Sequence, residues 1–203
     1  MKPLISLHPG EYLVAVHIEN NFPHLNVWLP SKDRGIDLLL TNSTNKQTVS
    51  IQVKFSQDYT FLHKEKVPRD LNIVRQMETM SWHNLNAKKL RKSKADLWIL
   101  VTHSLTAKKN MFLILPPATL YERLVKIHGT PATFRNYFWV TKSGKCWEVR
   151  TARKKDRILI ANDHLKNKDL EFTEYLDRWN LIDMPPRKKA SSNGSAFSLP
   201  PKK

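Results

Sequence analysis

The stretch Val49-Ser50-Ile51-Gln52-Val53-Lys54-Phe55-Ser56 carries the clearest pattern in the chain. Apolar residues occupy its odd positions and polar residues its even positions. This period of two predicts a β-strand, because successive side chains of a strand point to opposite faces of the sheet. We expect the core face to hold Val49, Ile51, Val53 and Phe55, and the other face to hold Ser50, Gln52, Lys54 and Ser56.

The residues before this strand predict one helix and two short strands. Residues 11–21 follow Pro9-Gly10 and are stopped by Pro23, which is typical of a helix. Candidate strands cover residues 27–29 and 36–40. Residues 41–48 are rich in Asn, Ser and Thr, so we expect a chain reversal there.

The residues after the strand predict a helix over 71–90 and buried strands over 95–102 and 111–115. A further helix over 118–128 is expected to close at Gly129. The first of these helices ends in a cluster of basic residues, Lys88, Lys89, Arg91, Lys92 and Lys94. These residues form either a solvated helix end or a set of phosphate contacts, and the overall positive charge of the chain favours phosphate contacts.

The C-terminal third predicts a hairpin, a short strand and a helix. The hairpin joins residues 137–141 to residues 145–149, the strand covers 158–161, and the helix covers 170–179. We therefore divide the chain into a core at residues 1–129, an extension at residues 130–184 and a disordered basic tail at residues 185–203.

The formal net charge of +16, from 34 basic and 18 acidic residues, indicates a polyanionic partner. Residues 187–203 hold five basic and no acidic residues, so the rest of the chain keeps 29 basic and 18 acidic residues, a net charge of +11. Nucleic acid is the commonest partner of such a domain, because Lys and Arg near phosphates release condensed counterions. A basic protein without this partner and a membrane-surface binder are the alternatives.

Several classes of protein are excluded or disfavoured by the sequence. A single cysteine, Cys146, excludes an internal disulfide and a zinc site made of several cysteines, and we expect it to be packed in a strand. The histidines show no ligand spacing. The apolar run at residues 97–101 is too short to span a bilayer, and the N-terminus lacks a long apolar secretory signal. These features favour a cytoplasmic protein with no membrane partner.

The order of a helix, three strands, a helix and a strand places Asp37 on the second strand and Gln52 and Lys54 on the third. In these features residues 10–128 resemble the PD-(D/E)xK nuclease superfamily. The positions that carry the resemblance are Gly35-Ile36-Asp37 for the first motif, Gln52-Val53-Lys54 for the second and Glu11 for the acid of the first helix. Most relatives have Asp or Glu in place of Gln52, although a Gln-x-Lys form also occurs in Mrr-like restriction nucleases.

The resemblance implies an α/β fold with a restriction endonuclease-like core, of the order αβββαβ, in which helices flank a mixed central sheet. A C-terminal α+β extension would follow it. The resemblance also implies a Mg²⁺ cofactor, for which Mn²⁺ can substitute. The implied metal ligands are Asp37, Gln52, the Val53 carbonyl and Glu11, and the implied catalytic residues are Asp37, Gln52, Lys54 and Glu11.

The residue types fit this chemistry. Hard Mg²⁺ prefers oxygen ligands, which carboxylates, amides and backbone carbonyls supply. A lysine two residues beyond Gln52, on the same strand face, can hold an attacking water or neutralise charge that develops on the scissile phosphate. Lys54 is that residue.

Each of these residues also has a structural interpretation. Asp37 could be a turn residue at the end of a strand, although an unpaired carboxylate between Ile36 and Leu38 is costly. Gln52 and Lys54 could be the solvated face of an antiparallel strand. Glu11 could serve only to favour a helix N-terminus through the helix dipole.

We expect a metal-dependent endonuclease that hydrolyses phosphodiester bonds, in DNA rather than RNA, and a homodimer is compatible with this function. The alternative is a nucleic-acid-binding protein that keeps the nuclease fold without cleavage. A third interpretation, a protein-interaction module with an incidental basic surface, predicts no salt-dependent DNA binding. Trp139 and Trp147 are interpreted as core residues, or as base-stacking residues if they prove exposed.

Overall fold

The computed structural model describes residues 7–32, 34–60, 71–104 and 107–183. Its strands are β1 (Leu25–Trp28), β2 (Leu38–Asn42), β3 (Thr48–Gln57), β4 (Met77–Asn86), β5 (Leu97–Ser104), β6 (Lys109–Leu115), β7 (Thr133–Thr141) and β8 (Cys146–Glu148). Its α-helices are α1 (Pro9–Asn21), α2 (Leu71–Arg75), α3 (Ala87–Arg91), α4 (Pro117–His128) and α5 (Lys154–Ala161). Two short 3-10 helices, Thr173–Tyr175 and Trp179–Leu181, lie near the end of the described chain.

Five strands form a first sheet in the order β1-β2-β3-β5-β6. Strands β3 and β5 run parallel, and the other neighbours run antiparallel. The sheet is therefore mixed and is flanked by helices, as predicted for the α/β class. The strands predicted around residues 27–29, 36–40, 95–102 and 111–115 correspond to β1, β2, β5 and β6.

The predicted alternation of β3 is only partly confirmed. Ile51 and Val53 are buried against α1 as expected, but Phe55 is 37% exposed because it lies near the end of the strand. On the other face Gln52 and Ser56 are buried. They are buried because a second sheet covers this face, which the structural interpretation of Gln52 and Lys54 had placed in water. The start of α1 lies close to β3, since a Cβ at Gly10 would be 2.8 Å from the Cβ of Phe55.

The predicted helix over residues 71–90 is wrong. The chain forms the five-residue helix α2, the ten-residue strand β4 and the five-residue helix α3 in this region. The side chains of β4 alternate, with Ser81, His83 and Leu85 buried and Trp82 and Asn84 exposed. The polar residues on the buried face obscured this period, and pairing with the distant β7 outweighs local helix propensity. In the described residues 71–91, the predicted αβββαβ order therefore has β4 between two short helices where one long helix was expected.

The second sheet has the order β4-β7-β8 and is antiparallel. The predicted hairpin is confirmed as β7 and β8, with Gly144 at a φ of +85° in its turn. Strand β4 pairs with β7 from Asn86↔Thr133 to Met77↔Thr141. This sheet joins residues on both sides of the predicted boundary at residue 129.

Two further predictions for the C-terminal region are wrong. Residues 158–161, predicted as a strand, belong to α5. Residues 170–179, predicted as a helix, instead form turns and 3-10 helix. The backbone of residues 170–172 bonds to β8, and helical conformation is interrupted at Asp177, which has a φ of +49°. Its backbone N–H donates to the carbonyl of Phe112 at 2.7 Å, and its carboxylate accepts the N–H of Phe112 at 3.2 Å. The predicted disordered tail at residues 185–203 lies outside the described residues.

Three apolar clusters place the elements in layers. The first, which includes Val14, Ile18, Leu40, Ile51 and Ile99, lies between α1 and the first sheet. The second, which includes Trp98, Leu100, Leu120 and Phe138, lies between the two sheets and α4. The third, which includes Met80, Trp139, Trp147 and Ile160, lies between the second sheet and the helices α2 and α5. No helix in the described part of the chain has both the length and the apolar character needed to cross a bilayer.

Candidate functional site

Asp37 lies at the point where β2 and β3 separate. It directly precedes β2, and its backbone N–H donates to the carbonyl of Ile51 at 2.8 Å, which extends the ladder of the two strands by one bond. Gly35 reaches this point with a φ of +82°, a conformation that residues with a side chain rarely adopt. The half-buried Asp37 side chain is therefore directed to β3 by a short, constrained turn.

The Asp37 carboxylate binds two neighbouring residues of β3. Its Oδ2 accepts the backbone N–H of Val53 at 2.7 Å and also accepts the side-chain amide of Gln52. Because N–H and C=O of one strand residue point to the same side, the Val53 carbonyl is directed to this same edge of β3. The three predicted metal-binding groups Asp37, Gln52 and Val53 are therefore brought together.

The fourth predicted metal ligand, Glu11, lies in the first turn of α1. Its carboxylate accepts the backbone N–H of His8 at 3.1 Å, which is the geometry of a helix cap. Glu11 also lines the cleft that contains Asp37. Both interpretations of Glu11 therefore have a structural basis, since its carboxylate caps the helix and the residue lines the cleft.

Lys54 is half-buried on the same strand, two residues beyond Gln52. Its Nζ lies 5.6 Å from the ring centroid of Trp98, a distance that allows a cation–π contact. Burial, with a smaller contribution from the positive charge of Lys54, lowers the pKa of His83 to about 3. His83 is thus neutral at physiological pH.

A cleft of about 1070 Å³ joins these residues to the basic cluster. Its wall includes the four residues of the predicted catalytic set, Glu11, Asp37, Gln52 and Lys54, and four of the five predicted phosphate-binding residues, Lys88, Lys89, Lys92 and Lys94. Arg91 is exposed but does not line the cleft. The side chain of Asn86 accepts the backbone N–H of Lys89 at 2.9 Å and so fixes the start of the lysine-rich helix α3.

Several residues that line the cleft were missed from the sequence. They are His8, Arg34, Asn84, Asn86, Ser93 and Trp98. Asn84 and Asn86 were hidden by the wrong helix prediction over residues 71–90. Arg34 could have been found, because it precedes Gly35 and Asp37 on a short turn that ends in the site.

The chemistry of the cleft is that of hard oxygen donors next to lysine ammonium groups. The carboxylates of Asp37 and Glu11, the amide oxygen of Gln52 and the carbonyl of Val53 are all donors that a divalent ion such as Mg²⁺ accepts. Within the described residues, however, no group of three His, Cys, Asp or Glu side chains is placed to hold a metal. The donors fit Mg²⁺ only if the amide, the backbone and water supply most of its ligands.

Other residues considered from the sequence lie in the core. Trp139 is 9% exposed and Trp147 is 1% exposed, so both belong to the apolar interior. Cys146 is 1% exposed on β8, and burial raises the pKa of its thiol. The expectation that this cysteine is packed in a strand is confirmed.

Comparisons with protein-family models, curated proteins and solved structures give no match to this chain.

Proposed function

We propose that this protein is a metal-dependent endonuclease with a restriction endonuclease-like core, which hydrolyses phosphodiester bonds in DNA rather than RNA. The observation that carries this proposal is that Asp37, Gln52 and Lys54 line one cleft with four lysines. A cleft with oxygen donors on one wall and ammonium groups on another suits a phosphodiester, whose charge must be neutralised while the reacting bond is held near a cation.

The topology supports the proposed core. Gln52 and Lys54 lie on β3 as the nuclease resemblance requires, whereas Asp37 directly precedes β2, where it was expected on the strand itself. The antiparallel pair β2–β3 continues into the parallel pair β3–β5, and α1 packs on one face of the sheet. A further departure is that the crossover between β3 and β5 contains the strand β4.

Each residue has a distinct role in the proposed reaction. Asp37, Gln52 and the Val53 carbonyl would hold Mg²⁺, which supplies Lewis-acid activation of the phosphate and of water. Lys54 orients the attacking water and neutralises negative charge on the phosphate. The four lysines bind the flanking phosphates, and these contacts position the substrate without reading its sequence.

Gln52 requires one adjustment for this role. Its amide nitrogen faces Asp37 in the structure, so the terminal amide must present its oxygen to bind a cation. Nitrogen and oxygen of such an amide exchange places by half a turn about the last bond. The Asp37 carboxylate keeps its hydrogen bond from Val53 during this change, since that bond comes from the backbone.

A second candidate function is nucleic-acid binding without cleavage. The observation that favours it is the scarcity of carboxylates: the described residues hold no cluster of three His, Cys, Asp or Glu side chains. In this function the lysine-lined cleft binds phosphates, and the Asp37–Gln52 pair only fixes the junction of β2 and β3.

Incubation with supercoiled plasmid, linear duplex, branched DNA and single strands in Mg²⁺, Mn²⁺ or EDTA separates the two functions. The endonuclease cuts at least one substrate with a metal and none in EDTA. Asp37→Asn and Lys54→Ala should each lower the rate roughly 100-fold or more, while Lys46→Ala, in the exposed loop before β3, should not. Salt-dependent DNA binding without cleavage in any metal would establish the second function. Wild-type cleavage by Asp37→Asn would refute the proposed site.

A further inference from the structure

The outer face of the second sheet is only partly covered. Met80, Trp139 and Trp147 on this face are buried with α2 and α5. The neighbouring part is open, and Trp82 there is 43% exposed. Tyr137 lies directly opposite Trp82 in the strand register. We call the open part the aromatic-basic platform, which comprises Trp82, Asn84, Arg135, Tyr137 and Arg150.

The aromatic rings of the platform are held in place by polar contacts. The indole N–H of Trp82 donates to the Asn84 side chain at 3.0 Å, and the rings of Trp82 and Tyr137 meet edge to face with centroids 5.5 Å apart. The Arg150 guanidinium lies 5.4 Å from the Tyr137 ring centroid and donates to the Tyr137 hydroxyl at 3.2 Å. Rings that are ordered before binding lose little conformational entropy when a ligand stacks on them.

A buried carboxylate anchors two residues of the platform from below. Glu148 is fully buried, and its Oε1 accepts the backbone N–H groups of Tyr137 at 3.1 Å and Arg150 at 3.2 Å. Its Oε2 lies 3.5 Å from Nε2 of His128. The two backbone hydrogen bonds hold the chain at Tyr137 and Arg150 in place.

The charge of the platform complements a polyanion. Arg135 and Arg150 are exposed and line a surface hollow of about 490 Å³ beside Tyr137. Arginine next to an exposed aromatic ring is the combination that binds single-stranded nucleic acid, in which the ring stacks on a base and the guanidinium contacts the backbone.

The platform is continuous with the candidate cleft. Asn84 and Asn86 follow Trp82 at alternate positions of β4, and both asparagines line the cleft that contains Asp37. Trp82 and Asn86 are four residues apart, which is about 13 Å along a strand. A nucleic-acid strand can therefore contact Trp82 and the lysines of the cleft at the same time.

We propose that the aromatic-basic platform binds unpaired bases of the nucleic acid whose backbone enters the cleft. This role rests on the proposed function, and it defines the substrate class as nucleic acid with a single-stranded segment beside the bond presented to Asp37 and Lys54. Duplex DNA does not suit the platform, because its base faces are stacked inside the helix. The side-chain oxygens of Asn84 and Asn86 accept the N–H groups of Trp82 and Lys89, and their amide nitrogens can donate to acceptors on the edges of neighbouring bases.

Fluorescence anisotropy of a labelled oligothymidylate and of a labelled duplex, both in EDTA, tests this role independently of cleavage. Trp82→Ala should weaken single-strand binding roughly 5- to 150-fold, the range found for the loss of one stacked base, and leave duplex binding unchanged. Trp82→Phe should retain most of the affinity, which shows that a ring is required. Trp28→Ala is the matched control, because Trp28 is 51% exposed and lies on β1, an edge strand of the other sheet, where its indole N–H donates to Thr41.

The two proposals can fail separately. If wild type and Trp82→Ala bind single strands equally and the wild type still cleaves with metal, the proposed role of the platform is refuted. The nuclease proposal then stands. Trp82-dependent single-strand binding without any cleavage supports the platform and removes the nuclease. Lack of binding to either nucleic acid overturns both, and a circular dichroism melt of each variant identifies any loss of affinity that comes from unfolding.

Discussion

The contact between Asp37 and Gln52 determines how much negative charge the cleft can offer a metal. The carboxylate is held by an N–H of the backbone and by the Gln52 amide, so its charge is compensated even without an ion. An amide oxygen is a weaker Mg²⁺ ligand than a carboxylate and adds no charge. We therefore expect weak metal binding in the absence of nucleic acid.

The substitution Gln52→Glu should lower the stability of the metal-free protein and raise its affinity for metal. Without metal, the new carboxylate meets Asp37 in a site where Gln52 is 7% exposed, and the lost hydrogen bond and the repulsion should cost about 1–3 kcal/mol of unfolding free energy. Mg²⁺ or Mn²⁺ should restore the loss, and calorimetry should show tighter metal binding than in the wild type. The control is Gln57→Glu on the exposed end of β3, which should change neither quantity. Metal affinity unchanged in Gln52→Glu would remove Gln52 from the metal site.

A second residue, His83, links stability to pH. Its pKa is lowered from 6.5 to about 3 by burial and by Lys54, so between these pH values the unfolded chain binds a proton that the folded chain does not. Protonation then favours the unfolded chain, and the contribution of His83 to stability decreases as the pH falls from 6.5 towards 3. Through His83, the free energy of unfolding changes by at most about 1.4 kcal/mol per pH unit.

Urea unfolding at pH 7 and pH 5 measures this contribution. His83→Gln should lose less stability than the wild type between the two pH values, because the glutamine does not titrate. The exposed His164→Gln serves as the control for removal of a histidine. If His83→Gln and the wild type lose the same amount, another group causes the pH dependence.

Among the elements, the junction of β3, β4 and β5 depends on a buried carboxylate that the sequence pattern did not reveal. Asp58 is 2% exposed and follows β3. It accepts four hydrogen bonds, from the N–H and the hydroxyl of Thr60, the N–H of Met80 and the hydroxyl of Ser104. These bonds connect the end of the first sheet to β4, and thus help to hold β4 against the cleft.

Asp58→Ala should be among the most destabilising substitutions in this chain, at about 3 kcal/mol or more, because it leaves several buried donors without an acceptor. Ser104→Ala removes one of these bonds and should cost about 1 kcal/mol. The control is Asp169→Ala, since this carboxylate is half exposed and pairs with the exposed Lys126. Urea denaturation measures the free energy of unfolding of all three variants. A loss below about 1 kcal/mol in Asp58→Ala would show that the junction does not depend on this network.

The elements also show what the sequence could and could not predict. Strand β3, helices α1 and α4 and the β7–β8 hairpin have local signals: a period of two, a proline at the start of each helix, and a glycine turn. Strand β4 lacks such a signal, because Ser81 and His83 occupy its buried face and its partner β7 lies about 50 residues away in the chain. The cleft residues on β3 were predictable because that strand has a local signal. Those on β4 were not, because that strand has none.

For the whole molecule, the net charge of +16 should appear as a steep salt dependence of nucleic-acid binding. Replacement of Lys88, Lys89, Lys92 and Lys94 by Gln should reduce the slope of log affinity against log salt by up to about 3.6, at about 0.9 for each phosphate contact. A variant with the same charge change elsewhere, in Lys46, Lys108, Lys166 and Lys168, should leave the slope nearly unchanged. Similar slopes in the two variants would show that the phosphates are bound by the overall field and not by the cleft.

The pairing of β4 with β7 also has a consequence for synthesis of the chain on the ribosome. Strand β4 ends at Asn86 and its partner ends at Thr141, so 55 further residues must be made before β4 can pair completely. At ordinary rates of translation this takes about 3–11 s. During that interval β4 is an unpaired strand edge that precedes a run of lysines, and its Trp82 and Leu85 are accessible to other nascent chains. Chaperone binding in this window, or the rate of translation between residues 86 and 141, would affect how much of the protein reaches its native fold.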